Sequence, residues 1–168
     1  MSKQTALHCA VGLLARREHG EQELRKKLAL KEFEQEEIEL VIQRLLEKDY
    51  LSDERFAQSM CRYRSNRGYG WLHISNELKQ KGICSTIIQK LQENCEIDWY
   101  LQAELAYNKR FRSFEPVMDI KEAKNYEQKA LLTKEQNKIK AKQIRFLQYR
   151  GFTLEETLHA IECARFQA

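Results

Sequence analysis

Histidine, cysteine and carboxylate side chains are the residues in this chain that could catalyse a reaction or hold a metal. Their spacing argues against both uses. His8, His19, His73 and His159 form neither HExxH nor any paired-ligand spacing. His8 beside Cys9 would set the two side chains about 100° apart on a helix, a poor arrangement for sharing an ion. The five cysteines, Cys9, Cys61, Cys84, Cys95 and Cys163, are odd in number and contain no CxxC pair. Neither a disulfide framework nor a structural zinc is expected from them, and a reducing cytosol suits them best. Arg67-Gly68-Tyr69-Gly70-Trp71 is rich in glycine but lacks the preceding strand and the lysine of a phosphate-binding loop. Acidic residues such as Glu34, Glu36, Glu37 and Glu39 fall in helical charge patterns that read as solvated faces. The expectation is a protein that is not an enzyme, with no catalytic residue, no metal and no cofactor.

Binding chemistry is better represented. The net charge is only +4, but it is unevenly distributed. Between Arg55 and Lys90 there are seven basic residues and one acidic residue, and between Lys138 and Arg150 five basic residues and no acidic one. Such gathering of positive charge suits an anionic partner. In the first segment Arg62, Arg64 and Arg67 stand close to Tyr69 and Trp71, mixing planar guanidinium groups with aromatic rings. Arginine binds phosphate and carboxylate alike, and the rings either stack on bases or fill the corner between two helices. Lys79 and Lys81 follow in the same segment. In the second, Lys138, Lys142, Arg145 and Tyr149 lie at helical offsets 0, 4, 7 and 11 and share a face, while Ile144 and Leu147 turn toward a core. Arg150 follows directly. A smaller basic cluster near the start, including Arg25 and Lys26, is diluted by acidic neighbours. Nucleic acid and an acidic protein surface both fit this pattern, and composition does not choose between them.

These side chains must be positioned by helices. Apolar residues recur at helical spacing over 6–17, 53–65 and 99–112, helix-forming residues dominate, and turn residues are too sparse for a sandwich or barrel. Asp53 is expected to cap the helix that follows it. Three stretches resemble one another: Glu23 to Phe33, Ile74 to Ile83 and Gln143 to Phe152. Each places a leucine (Leu28, Leu78, Leu147) five residues before an apolar anchor (Phe33, Ile83, Phe152). Gly82 and Gly151 precede the second and third anchors, where a left-handed helix stop is expected, and Glu32 stands at the corresponding place in the first. A further helix follows each anchor. The predicted fold is all-α: tandem three-helix repeats over 5–48, 50–94 and 97–166, forming an elongated, curved body. The region 113–137, with Pro116, is read as an insertion or a lengthened helix preceded by a loop. The apolar stretch from Ala6 to Ala15 is too short to cross a bilayer and is followed by Arg16 and Arg17, so no membrane partner is expected.

Five ordered blocks resemble the RecX family of regulatory proteins. They are HGEQELRKKL from His19, KDYLSDERFA from Lys48, RGYG from Arg67, LKQKGI from Leu78 and FLQYRGF from Phe146. They cover nearly the whole chain, and the middle unit matches best. Trp71 departs from the family, which commonly has proline after the GYG turn. The resemblance implies tandem three-helix repeats and a negative regulator of the RecA recombinase; a cytoplasmic monomer is expected. It implies binding to RecA filaments on single-stranded DNA, in the groove or at an end, with inhibition of ATP hydrolysis, strand exchange and self-cleavage of the SOS repressor. The runner-up is a helical module that binds nucleic acid directly. On either reading the expected contacts are Arg25, Lys26, Arg62, Arg64, Arg67, Tyr69, Lys79, Lys81, Lys142, Arg145, Tyr149 and Arg150.

Overall fold

The protein was described from a computed structural model, which describes residues 5–112 and 125–166. Among these residues all regular structure is helical. The helices are α1 (Ala6–Leu14), α2 (Glu21–Ala29), α3 (Gln35–Glu47), α4 (Asp53–Ser65), α5 (Trp71–Gln80), α6 (Ser85–Glu93), α7 (Trp99–Phe111), α8 (Tyr126–Tyr149) and α9 (Leu154–Phe166). The all-α expectation holds, and the helix bounds lie close to those predicted. Pro116 lies outside the described residues. Over 126–137 the chain is a lengthened helix, because α8 runs on from Tyr126 as one 24-residue segment. Among the described residues no helix is long and apolar enough to cross a membrane.

The chain divides into two compact units, the first over 1–63 and 74–96, the second over 64–73 and 97–168. In the first, α1, α2 and α3 pack on one another. Ala6, Ala10, Leu24, Leu28, Ile38, Ile42 and Leu45 are buried together, with Leu51 from the following turn. The amphipathic spacing of α3 explains its burial pattern: Ile38, Val41, Ile42 and Leu45 recur every three or four residues and form its inner face. In the second unit α7, α8 and α9 pack on one another around Ala103, Ala106, Phe111, Leu147, Phe152 and Ile161. Tyr107 and Gln143 bring polarity into this core but satisfy each other, the amide donating to the phenol oxygen at 2.8 Å.

The five-residue spacing from leucine to anchor has a hydrogen-bond cause. Ile83 N–H donates to the Leu78 carbonyl at 3.1 Å and Phe152 N–H to the Leu147 carbonyl at 3.2 Å. This six-to-one bond closes a helix through one left-handed residue. Gly82 and Gly151 supply it with φ of +84° and +86°. Glu32 takes the same conformation, φ +63°, despite its Cβ. The left-handed residue of the repeat is thus kept where the glycine is lost.

Asp53 does not cap its own helix. It is the first residue of α4, and Ser52 Oγ accepts from Arg55 N–H at 3.3 Å in its place. The Asp53 carboxylate instead accepts the Glu21 N–H at 2.8 Å, serving the start of α2, where Gly20 has no side chain to do so. Burial pushes this carboxyl upward from its ordinary value, against the pull of the Glu21 N–H. Arg55 ties the adjacent turns by donating to the Asp49 carboxylate and carbonyl, both at 2.7 Å, and to Glu18 at 3.2 Å. His19 is buried before α2, its Nδ1 3.0 Å from the Arg17 carbonyl and its Nε2 3.0 Å from Lys27 Nζ. A carbonyl only accepts and an ammonium only donates, so His19 is neutral with its proton on Nδ1.

Glu32→Gly should stabilise the protein by about 0.5–1 kcal/mol by relieving the left-handed strain. Gly151→Ala should cost at least about 2 kcal/mol, because its Cβ would also stand 2.8 Å from His73 Cα. Urea unfolding of the two variants reads both signs. Burial lowers the His19 pKa from its ordinary value of 6.5. The unfolded state therefore binds the proton first, and stability present above that pH is lost as pH falls through it. Unfolding between pH 8 and pH 5, compared with His19→Gln, should show this loss in the parent protein and a shallower one in the variant.

Candidate functional site

The site is built in the second unit, where two helix junctions meet. The turn after α4 reverses through Gly68, left-handed at φ +76°, with Tyr69 N–H donating to the Arg64 carbonyl at 3.2 Å. The next residues lie flat against the turn between α8 and α9. Gly70 N–H donates to the Arg150 carbonyl at 2.8 Å, and Leu72 N–H to the Gly151 carbonyl at 3.0 Å. Amides at the start of α5 thereby satisfy carbonyls at the end of α8, groups that no helix can satisfy internally. The approach excludes any side chain at Gly70, whose Cβ would lie 2.6 Å from the Gly151 carbonyl carbon. The glycines of the GYG and RGF blocks are where the two backbones touch.

Arg150 fastens this meeting from the side. Its Nη1 donates to the carbonyls of Arg67 at 2.9 Å and Gly68 at 3.1 Å. The guanidinium lies 5.1 Å from the Tyr69 ring centre and 4.9 Å from that of Phe146. Arg64 approaches the same Tyr69 ring at 5.7 Å, and His73 stacks on it at 4.4 Å with 25° between planes. Two guanidinium groups therefore share one aromatic ring, an arrangement favoured by the ring's electron-rich face. Trp71 begins α5, at a position where a proline would also be tolerated, and packs against Trp99 with centroids 6.1 Å apart. Tyr69 and Trp71 are half-buried, so both take part in filling the helix corner. Along α8, Lys138, Lys142, Arg145 and Tyr149 are all exposed, while Gln143 and Leu147 are buried behind them. Tyr149 is 85% exposed.

The predicted contacts thus separate into groups. Arg64, Arg67, Tyr69 and Arg150 come together at the turn, and Lys142, Arg145 and Tyr149 belong to the exposed face of the helix that leads into it. In the first unit, Lys26 and Lys81 line a cleft of about 320 Å³ with Glu23, Glu77 and Gln80, so its charge is mixed. Arg25 is held by Glu21 and by Glu39, the latter at 2.8 Å, and these partners, Glu39 foremost, raise its pKa further. Arg62 on α4 and Lys79 on the last turn of α5 are exposed. Phe146 and His73 are part of the turn and were not foreseen. Phe146 was readable only as a member of the FLQYRGF block, and His73 becomes a partner of Tyr69 only through the turn.

One expectation is corrected. His159 and Cys163 are four residues apart on α9 and do form a paired spacing, and α7 brings Glu104 to within 2.9 Å of His159 Nε2. The spacing was present in the sequence, but the carboxylate that completes the group is supplied from 55 residues away.

Helical units in tandem, each closed by left-handed stops, with a basic aromatic turn at a helix junction, define an all-α repeat protein. The comparisons with known proteins narrow this. Residues 6–45 match the first three-helix domain of RecX and residues 52–91 the second. The regulatory protein RecX of Vibrio campbellii is 37% identical over 152 residues, covering 90% of this chain and 86% of that one. That of Actinobacillus pleuropneumoniae is 43% identical over 110 residues, covering 66% and 73%. The crystal structure of RecX from Lactobacillus salivarius superposes with a TM-score of 0.66 at 21% identity, covering 94% of this chain and 92% of that one. The chain belongs to the RecX family of regulatory proteins.

Arg150→Ala should lower the unfolding free energy by about 1.5–3 kcal/mol, the loss of charged hydrogen bonds to two carbonyls. Arg150→Lys should recover only part of it, because an ammonium cannot both fork and stack. Urea unfolding measures both, and equal stability of all three proteins would remove Arg150 from this role.

Proposed function

We propose that this protein restrains the RecA recombinase by binding its filament on single-stranded DNA, in the groove or at an end. Bound there, it inhibits ATP hydrolysis, strand exchange and the stimulated cleavage of the SOS repressor. The observation that carries the reading is the 37% identity to a regulatory protein RecX across 90% of the chain. The gathered charge of the turn and of α8 supports it. Arg67, Lys142 and Arg145 present exposed cations to carboxylates or phosphates, while Arg64, Tyr69 and Arg150 hold the turn from which Arg67 projects. We read α7, α8 and α9 as a third three-helix repeat over 97–166, following those at 5–48 and 50–94, because α8 ends in the same six-to-one bond as α5. Repeats in a row engage neighbouring protomers of a filament, so modest contacts add as avidity. Preference for a filament state that hydrolyses poorly, or that cannot grow, shifts the assembly equilibrium. The protein acts as a cytoplasmic monomer.

A second reading, direct binding to nucleic acid, is favoured by Tyr149. Its ring is exposed on the same helix face as Lys142 and Arg145, as a stacking platform beside phosphate-binding cations would be.

RecA's DNA-dependent ATP hydrolysis, titrated with this protein at fixed single-stranded DNA, tests the first reading. Inhibition well below the RecA concentration is expected. Joint reversal of Arg67, Lys142 and Arg145 to glutamate should weaken inhibition roughly tenfold or more, as expected for three charged contacts of about 0.5 kcal/mol or more each. Absence of inhibition, together with tight binding to bare DNA that falls steeply with salt, would transfer the function to the second reading.

A further inference from the structure

The pair of helices α7 and α9 carries a group of side chains that neither the turn nor its basic face uses. Tyr100 and Glu104 stand one helical turn apart on α7, and His159 and Cys163 one turn apart on α9, so four side chains meet across the helix contact. Glu104 Oε1 lies 2.9 Å from His159 Nε2, and Cys163 Sγ lies 3.5 Å from the same nitrogen. The carboxylate oxygen, imidazole nitrogen and sulfur all fall within 4.8 Å of one another. The Tyr100 ring meets the imidazole edge to face, with centroids 5.1 Å apart and 85° between planes. The His159 side chain is 44% exposed and that of Glu104 23%, so an ion can enter from solvent.

These are donors of three kinds converging on one point. Zinc binds sulfur at about 2.3 Å, imidazole nitrogen at about 2.0–2.1 Å and carboxylate oxygen at about 2.0–2.2 Å. A tetrahedral ion with such bonds separates its ligand atoms by roughly 3.3–3.6 Å. The nitrogen–sulfur separation already falls in that range, and the nitrogen–oxygen separation needs to open by only a few tenths of an ångström. A thiolate donor disfavours magnesium and calcium, which take oxygen ligands, and selects zinc and its tetrahedral substitute cobalt. We propose that Glu104, His159 and Cys163 form a zinc-type site with three protein ligands and a fourth position for water, clipping α7 to α9. On binding, the Cys163 thiol releases its proton to solvent and the thiolate sulfur donates to the ion. The Nε2 proton that His159 donates to Glu104 in the metal-free protein passes through solvent to Nδ1, which frees the Nε2 lone pair for the ion, and Glu104 exchanges that hydrogen bond for a bond to the metal.

Cobalt(II) titrated into the reduced full-length protein tests this. One equivalent should produce a thiolate-to-cobalt charge-transfer band and the visible bands of a tetrahedral ion, both abolished by zinc. Cys163→Ser should remove the charge-transfer band, and His159→Gln and Glu104→Gln should each weaken binding roughly tenfold or more, at least the effect that loss of a ligand's supporting partner has. Cys84→Ser, at an exposed cysteine just before α6, should change nothing. Zinc at a hundredfold its dissociation constant should raise the melting temperature by roughly 5 °C or more in the parent protein and not in Cys163→Ser. The variants lie on helix surfaces, and circular dichroism confirms that they fold. Absence of the charge-transfer band in the folded parent protein, or its persistence in Cys163→Ser, would overturn the proposal.

Discussion

The second unit depends on an exchange of hydrogen bonds between two helix ends. The first amides of α5 and the last carbonyls of α8 are groups that helices leave without internal partners. Here Gly70 and Leu72 give their N–H groups to the carbonyls of Arg150 and Gly151. The contact is backbone to backbone and leaves no room for a Cβ at Gly70 or Gly151, and the Arg150 side chain then folds over the turn it has met. The Tyr69 ring, with Arg64, Arg150 and His73 around it, is fixed as a result. The same arginines that give the turn its charge are therefore also part of its scaffold. Arg67 divides the two duties, its carbonyl serving the fold and its exposed side chain standing outside.

The first unit applies the same logic with side chains. Asp53 caps a helix other than its own, and Arg55 binds the left-handed Asp49 turn together with Glu18. The residues that do this fall in the HGEQEL and KDYLSDERFA blocks or beside them. These blocks are therefore turn and cap chemistry, in which a short run of sequence must satisfy polar groups of a neighbouring run.

What was legible in the sequence follows from the range of the forces. Helices and the leucine-to-anchor spacing were readable because helical periodicity and the six-to-one bond act within a few residues. Even the departure at Glu32 was visible, although its left-handed conformation was not implied by a residue that disfavours it. Asp53 was misassigned because a local capping rule was applied to a side chain whose partner, Glu21, is 32 residues away. The dilution of Arg25 by acidic neighbours was legible, since Glu21 is four residues away, but its pairing with Glu39 was not, because Glu39 reaches it only across two packed helices. The meeting of RGYG with YRGF could be seen as two blocks but not as one contact. Glu104 joins His159 and Cys163 for the same reason, through packing that no spacing encodes.

The exchange at the α5 and α8 ends also sets an order of events in synthesis. Arg150 reaches back 83 residues to the Arg67 carbonyl, while the buried core of α1, α2 and α3 is complete by Leu51. On the ribosome the early helices can close as soon as they emerge, because their contacts are short in sequence. The arginine-rich turn cannot. The Gly70 and Leu72 amides stay hydrated, and the Tyr69 ring lacks the Arg150 guanidinium, until the chain beyond residue 151 has left the tunnel. A nascent or truncated protein would carry the positive charge of that turn without its shape, because the turn is complete only once the end of α8 has emerged.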